Sequence, residues 1–293
     1  MLGEIRGTVR FKEPLSFYTS LRTGGNADVF IVPQDLDDLR HALSFADRQQ
    51  MPLYVLGGGN KVLIKDKGIR GVVIRLEGCL SRAEFHGEEA MVGAGMGLSA
   101  LVRQAAALDL GGIEPLVGIP STVGGAVLTN AGTEDGWIGD YLSAVYYLHP
   151  DGSLGEFKPD PIPETPERRL DIPSNVVVVG CRVRFQSRPS SDIQKDIKGR
   201  LKHKNIAQPL ALAAAGPVWR DPEGQKAAKL IERAGLRGKR IGLAEISAKS
   251  PNFIINRGGA KATDVLALMD LTRQRVRTHF GLTLEEDIRI LGE

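Results

Sequence analysis

No stretch of this sequence approaches the roughly 20 consecutive apolar residues that cross a bilayer. The opening residues 1–12 break a weakly apolar run with Glu4, Arg6, Arg10 and Lys12, whereas a secretory leader needs an unbroken apolar core. A cytoplasmic protein with no membrane partner is expected. An excess of one charge is missing too. Lys and Arg number 38 against 35 Asp and Glu, a formal charge of +3, which is too balanced for a nucleic-acid-binding face. Cysteine is scarce: Cys79 and Cys181 stand far apart with neither metal-ligand nor redox spacing. No metal site is expected, and both read as buried free thiols of a reducing compartment. Internal repeats and low-complexity segments are absent as well.

The hydrophobic share of 42% and charged share of 25% belong to an ordinary globular chain. A length of 293 residues predicts two or three units. Glycine is abundant where the chain turns, most of all in Gly118-Ile-Pro-Ser-Thr-Val-Gly-Gly-Ala-Val-Leu-Thr-Asn-Ala-Gly132. Without Cβ atoms a ligand can approach the backbone there, and short polar groups at Ser121, Thr122 and Asn130 add donors and acceptors. The stretch reads as a turn that cradles an anion such as a pyrophosphate.

Two further glycine turns precede it. Ala27–Val32 reads as a strand stopped by Pro33, and a helix capped by Asp35 follows, with Leu36, Leu39, Leu43 and Ala46 on one face. A short buried strand, Leu53–Leu56, then enters Gly57-Gly58-Gly59-Asn60. The dehydrogenase dinucleotide fold is disfavoured, because Lys61–Ile64 looks extended and Val72–Leu76 is again a strand where a long helix should open. Short strands around Gly87 lead to Gly93-Ala94-Gly95 and a helix marked by Leu98, Leu101, Val102 and Ala105. Tyr141–Leu148 and Asn175–Phe185 read as strands, Pro159–Pro173 as a loop, and Ser190–Ile206 as a basic amphipathic helix at a domain boundary. Beyond it come a helix over Gln225–Ala234, strands at Ala244–Ser247 and Phe253–Asn256, a long helix over Thr263–Phe280 capped by Thr263 or Asp264, and a strand at Ile288–Leu291.

The blocks Thr23-Gly24-Gly25, Leu56 to Asn60, Gly93 to Gly95, Gly118 to Gly132, Gln208-Pro209, Ala215-Gly216 with Asp221-Pro222, Ala228 to Glu232, Asn252 to Asn256, and Leu284-Glu285 with Arg289 and Gly292 occur in an order that resembles the MurB family. These are the flavin-dependent UDP-N-acetylenolpyruvoylglucosamine reductases of peptidoglycan synthesis, and the likeness spans nearly the whole chain and fits the shorter class. It implies an α+β fold with a two-part FAD-binding region of the vanillyl-alcohol-oxidase type, residues 1–76 and 77–189, and a C-terminal α+β substrate domain, residues 190–293. The implied reaction passes hydride from NADPH to FAD and on to the enolpyruvyl β-carbon, while a side chain protonates the α-carbon to give UDP-N-acetylmuramate. The implied partner is a UDP-sugar, and a monomer or weak dimer is expected.

The resemblance assigns FAD contacts to Gly57, Gly58, Gly59, Asn60, Lys61, Gly93, Gly95, Gly118, Ile119, Pro120, Ser121, Thr122, Gly124, Gly125, Ala126, Asn130, Ala131 and Gly132. Substrate contacts fall on Arg169, Gln208, Lys229 and Asn252. Negative charge develops on the substrate carboxylate during hydride addition, so a cation and a polarising carboxyl group are needed beside it. The resemblance places these at Arg169 and Glu285, with Asp287 as the other register for the acid.

The proton donor, a serine in the family, falls on Pro217. Proline has neither hydroxyl nor N–H. Other departures gather on the substrate side: Ala213-Ala214 replaces Pro-Ser, Arg168-Arg169-Leu170-Asp171 replaces Tyr-Arg-x-Ser, and Ser250-Pro251 replaces the histidine before Asn252. In the triple-glycine turn Asn60-Lys61 replaces Ser-Asn. Losing a general acid typically costs a factor of about 10² to 10⁴, so an active reductase is expected, its donor weakened or replaced by water held at Ser121, Thr122 or Ser247. The alternatives are a divergent flavoprotein with another substrate and a non-catalytic FAD-binding relative.

Overall fold

A computed structural model describes residues 2–159, 170–209 and 211–293, without the side chain of Cys79. The chain mixes six α-helices with short strands among the described residues. Helix α1 (Leu36–Arg48) starts as its sequence predicts: the Asp35 carboxylate accepts the Asp38 N–H at 2.9 Å, and Leu39, Ala42, Leu43 and Ala46 are buried. Helix α2 (Leu98–Ala107) buries Leu98, Leu101, Val102 and Ala105. The stretch read as a bare turn contains a short helix, α3 (Val123–Thr129), despite Gly124-Gly125. Its Thr122 cap and an Asn130 in the left-handed conformation (φ 42°) close the two ends, and Val123, Ala126 and Val127 bury one face, so packing overrides the weak propensity.

Helix α4 (Ser190–Ala207) buries Ile193 and Ile197. Helices α5 (Ala227–Arg233) and α6 (Ala262–Phe280) follow. The N-cap of α6 is Lys261 rather than Thr263 or Asp264. The Asp264 carboxylate reaches back to the Lys261 N–H at 3.0 Å, and the Asp66 carboxylate accepts the N–H groups of Ala262 and Thr263 at 2.7 and 3.0 Å. A carboxylate from a distant part of the chain therefore satisfies donors that a helix leaves open.

One four-stranded sheet has the order Thr8–Pro14, Asn26–Val32, Ile69–Ile74, Leu53–Val55. Leu53–Val55 was expected to be buried. It stands at the end of the sheet order, and Val55 is exposed. A five-stranded antiparallel sheet runs Leu154–Phe157, Leu142–Leu148, Val177–Arg184, Glu89–Gly93, Ala83–His86. A second four-stranded sheet is ordered Ala214–Ala215, Ile254–Asn256, Ala244–Ile246, Arg240–Ile241, and Arg289–Leu291 pairs in parallel with Val62–Ile64.

The chain divides into two compact units. Unit 1 comprises Met1–Phe11, Val29–Gly58 and Gly71–His203, and unit 2 comprises Lys12–Asp28, Gly59–Arg70 and Lys204–Glu293. Each has its own apolar core. That of unit 1 joins Ile31, Leu39, Ile74, Val92, Leu101, Val127 and Cys181 among others, whereas that of unit 2 gathers Leu21 and Leu63 with Trp219, Leu230, Ile254 and Leu268. Leu21 and Leu63 are fully buried. At about 1.5–3 kcal/mol for each such side chain, they bind the early segments of unit 2 to its later ones. No helix among the described residues is long and apolar enough to cross a membrane.

Candidate active site

In unit 1 the three glycine turns converge. The N–H groups of Val123 and Gly124 donate to the carbonyls of Met96 and Ala94 at 2.7 and 2.8 Å, and Leu98 N–H donates to Ser121 O at 2.8 Å. Gly118 N–H reaches Ser99 Oγ at 3.0 Å. The second and third turns are thereby laced together by backbone. Two glycines show why nothing larger stands there: a Cβ on Gly124 would lie 2.8 Å from the Ala94 Cβ, and one on Gly57 would lie 2.5 Å from Thr122 Oγ1. Glycine at these two points lets the turns pack on one another, and glycine-rich turns of this kind suit a ring or phosphate laid against their peptide groups. The residues present fit a dinucleotide cofactor on that ground.

Individual side chains are less free than their positions suggest. Thr122 Oγ1 caps α3 through Gly125 N–H at 3.3 Å, and the Ser121 hydroxyl donates to the Thr122 carbonyl at 2.9 Å. Asn130 is buried, and its carbonyl oxygen accepts Gly139 N–H at 3.0 Å. Gly93, Gly95, Gly118, Ile119, Pro120, Gly125, Ala126, Ala131 and Gly132 lie along the same laced turns in unit 1, as do Gly57 and Gly58. Gly59, Asn60 and Lys61 belong to unit 2, where the Gly59 carbonyl accepts Ser20 N–H at 3.0 Å.

Unit 2 carries a charged cluster around Pro217, which follows Gly216 through a cis peptide bond. Lys61 Nζ donates to the Pro217 carbonyl at 3.1 Å and forms an ion pair with the Asp287 carboxylate. The backbone holds all three in place. Lys61 O accepts Arg289 N–H at 2.8 Å, Val218 O accepts Asp287 N–H at 2.7 Å, and Glu285 O accepts Arg220 N–H at 2.9 Å. Residues 285 and 287 therefore point to one side of this antiparallel contact, and Glu286, paired with Arg273, points to the other. Glu285 is 75% exposed and pairs with Arg220 at 3.5 Å, whereas Asp287 is half-buried against Lys61.

Asn252 is buried and fully engaged. Its Oδ1 accepts the N–H groups of Val218 and Trp219 at 3.1 and 2.9 Å, and its Nδ2 donates to Trp219 O at 2.8 Å. It clips the backbone after Pro217 rather than presenting a free amide. Gln208 follows α4 and lines a cavity of about 400 Å³ with Glu245, Ser247, Lys249 and Arg257. Glu245 is buried in a fork of Arg257 and Arg240. The hydrogen bond from Arg257, aided by that from Arg240, holds its carboxyl below the usual range. Lys229 is exposed on α5. Arg169 lies outside the described residues.

The juxtaposition of Lys61, Pro217 and Asp287 escaped sequence reasoning. Its faint signal was a lysine where the resemblance expects a neutral amide, together with the period-two spacing of Glu285 and Asp287.

Residues 27–158 match the FAD binding domain family, and residues 208–291 match the UDP-N-acetylenolpyruvoylglucosamine reductase C-terminal domain. The UDP-N-acetylenolpyruvoylglucosamine reductase of Geobacter metallireducens is 39% identical over 291 residues, which are 99% of this chain and 96% of the relative. The chain belongs to the UDP-N-acetylenolpyruvoylglucosamine reductase family. The Pelobacter propionicus reductase is 38% identical over 290 residues, covering 99% of this chain and 97% of that one. The crystal structure of the MurB reductase from Thermus caldophilus superposes with a TM-score of 0.83 at 34% identity, covering 98% of this chain and all of the other. This reductase is thus an FAD-dependent oxidoreductase of α+β fold, and the glycine turns of unit 1 lie in its FAD-binding domain.

Proposed function

We propose that the chain reduces UDP-N-acetylenolpyruvoylglucosamine to UDP-N-acetylmuramate for peptidoglycan synthesis, with NADPH as reductant. The match of residues 27–158 to the FAD binding domain, within which the glycine turns pack on one another, carries the reading. FAD, when bound, supplies the relay of hydride from NADPH to the substrate β-carbon. The protein's task is to hold the UDP-sugar, to stabilise charge on its carboxylate and to deliver a proton to its α-carbon.

We assign residues 1–76 and 77–189 to FAD binding and 190–293 to substrate binding. Arg169 faces the carboxylate in this assignment, and Gln208, Lys229 and Asn252 serve the substrate side, Asn252 by fixing the backbone after Pro217. Of the two acids we take Asp287 over Glu285, because Asp287 is half-buried at the charged cluster. The buried thiol of Cys181 supports a reducing, cytoplasmic setting. We also assign a monomer or weak dimer, which sedimentation at two concentrations tests.

The test of function is direct. Purified protein is expected to show flavin absorbance and to oxidise NADPH only when UDP-N-acetylenolpyruvoylglucosamine is present. Flavin-loaded protein with no oxidation above background would overturn the reading.

A further inference from the structure

We infer that Lys61 delivers the proton to the substrate α-carbon, in place of the hydroxyl that Pro217 lacks; the inference rests on the reductase reading above. Four observations carry it. Pro217 offers neither O–H nor N–H, so its side of the cluster needs a donor from elsewhere. The Lys61 ammonium supplies one, at 3.1 Å from the carbonyl oxygen of Pro217 itself. The backbone fixes both ends of that contact: Lys61 O is bonded to Arg289 N–H, and the backbone after Pro217 is clipped by Asn252. Finally, the side chains of Lys61 and Asp287 are each 36% exposed, so the cluster is open to a small molecule.

An ammonium has three donors. Pro217 O and Asp287 accept two of them, which aims the side chain and, among the described residues, leaves the third N–H for a substrate. The atoms and electrons balance without a further reactant. Hydride joins the β-carbon and an electron pair develops on the α-carbon and its carboxylate. The N–H bond of Lys61 breaks as the α-carbon C–H bond forms, and the neutral amine recovers its proton from water. Asp287, the acid assigned above, also keeps the amine turned toward Pro217 through its ion pair with Lys61.

The experiment separates the two halves of the cycle in full-length, flavin-loaded protein. NADPH first bleaches the flavin, and UDP-N-acetylenolpyruvoylglucosamine then restores its absorbance in a single turnover. Lys61→Ala is expected to slow the restoration by about 10² to 10⁴, and added methylamine is expected to recover part of the rate saturably. Lys61→Arg, which keeps the charge but is a poor acid, is expected to remain slow. Flavin content, and the spectral change on adding substrate to oxidised protein, should match wild type in both variants. Restoration at the wild-type rate in Lys61→Ala overturns the inference. So does a loss that methylamine does not rescue, or one that tracks loss of flavin or of the substrate-induced spectral change. Wild-type protein whose reduced flavin the substrate never restores overturns the reductase reading itself, and this inference with it.

Discussion

The cradle of unit 1 and the charged cluster of unit 2 are built from opposite materials. The cradle is peptide backbone: three turns joined by N–H to carbonyl bonds, with Gly57 and Gly124 at the points of closest approach. The cluster is side chains brought together from distant positions, Lys61, Pro217 and Asp287. Backbone sites leave a mark in sequence, because only glycine tolerates them and glycines recur in a recognisable order. Side-chain clusters leave almost none, because any lysine looks like a solvated one until its neighbours are known. The same contrast separates tolerance to change. A backbone cradle is broken by adding atoms, and a charged cluster by removing them.

If the two regions are independent, substitutions should damage one and spare the other. The largest effect is expected at Asn252→Ala, which removes the partner of both the N–H and the carbonyl of buried Trp219, while Val218 N–H keeps the backbone carbonyl of residue 252 at 2.9 Å. At about 1–3 kcal/mol for each unsatisfied group, urea unfolding of unit 2 should shift by about 3 kcal/mol, while flavin content per folded protein stays high. Gly95→Ala is the converse. Its Cβ would lie 2.1 Å from the Leu76 carbonyl oxygen, an overpacking that typically costs about 1–3 kcal/mol, and flavin absorbance should be lost while methylamine and substrate have nothing to act on. Parallel loss of flavin in both variants would break the comparison.

A smaller effect is expected at Glu245, a side-chain site like the cluster. Its carboxyl is held low chiefly by the Arg257 hydrogen bond. A lowered folded value means stability that is present above the unfolded glutamate value, about 4.3, and is lost as pH falls through the folded value. Glu245→Gln should therefore cost about 1–3 kcal/mol at neutral pH, with the gap to wild type closing on acidification below about pH 4. A gap independent of pH would show that packing rather than charge holds the fork. The smallest effect is a null result: burial pushes the Cys181 thiol up to about 12, so iodoacetamide at pH 8 should leave Cys181 unlabelled until the protein is unfolded.

Much of the fold was legible in the sequence. The Asp35 cap and the apolar face of α1 follow from local spacing, as does the strand pair around Gly87. The misses share a cause. Helix α3 was read as a turn because Gly-Gly is a poor helix former, yet its buried face decides the matter. The start of α6 was assigned to Thr263 or Asp264 because the Asp66 carboxylate that serves it lies far away in sequence. The contact of the Lys61 side chain with Pro217 and Asp287 was not legible, because its partners lie far away in sequence. Local chemistry was readable, and contacts across long sequence separations were not.

The parallel pairing of Val62–Ile64 with Arg289–Leu291 also sets an order of events in time. Lys61 and Asp287 are 226 residues apart, and Lys61 is braced by Arg289. On the ribosome, at about 5–20 residues per second, the glycine turns of unit 1 are all available well before the strand that braces Lys61 exists. The early segments of unit 2, with Leu21 and Leu63, must wait with their apolar faces uncovered until that strand arrives. Such a long-range closure is slow and leaves apolar surface open to aggregation in the meantime. A newly made chain therefore completes its glycine turns first and its charged cluster last.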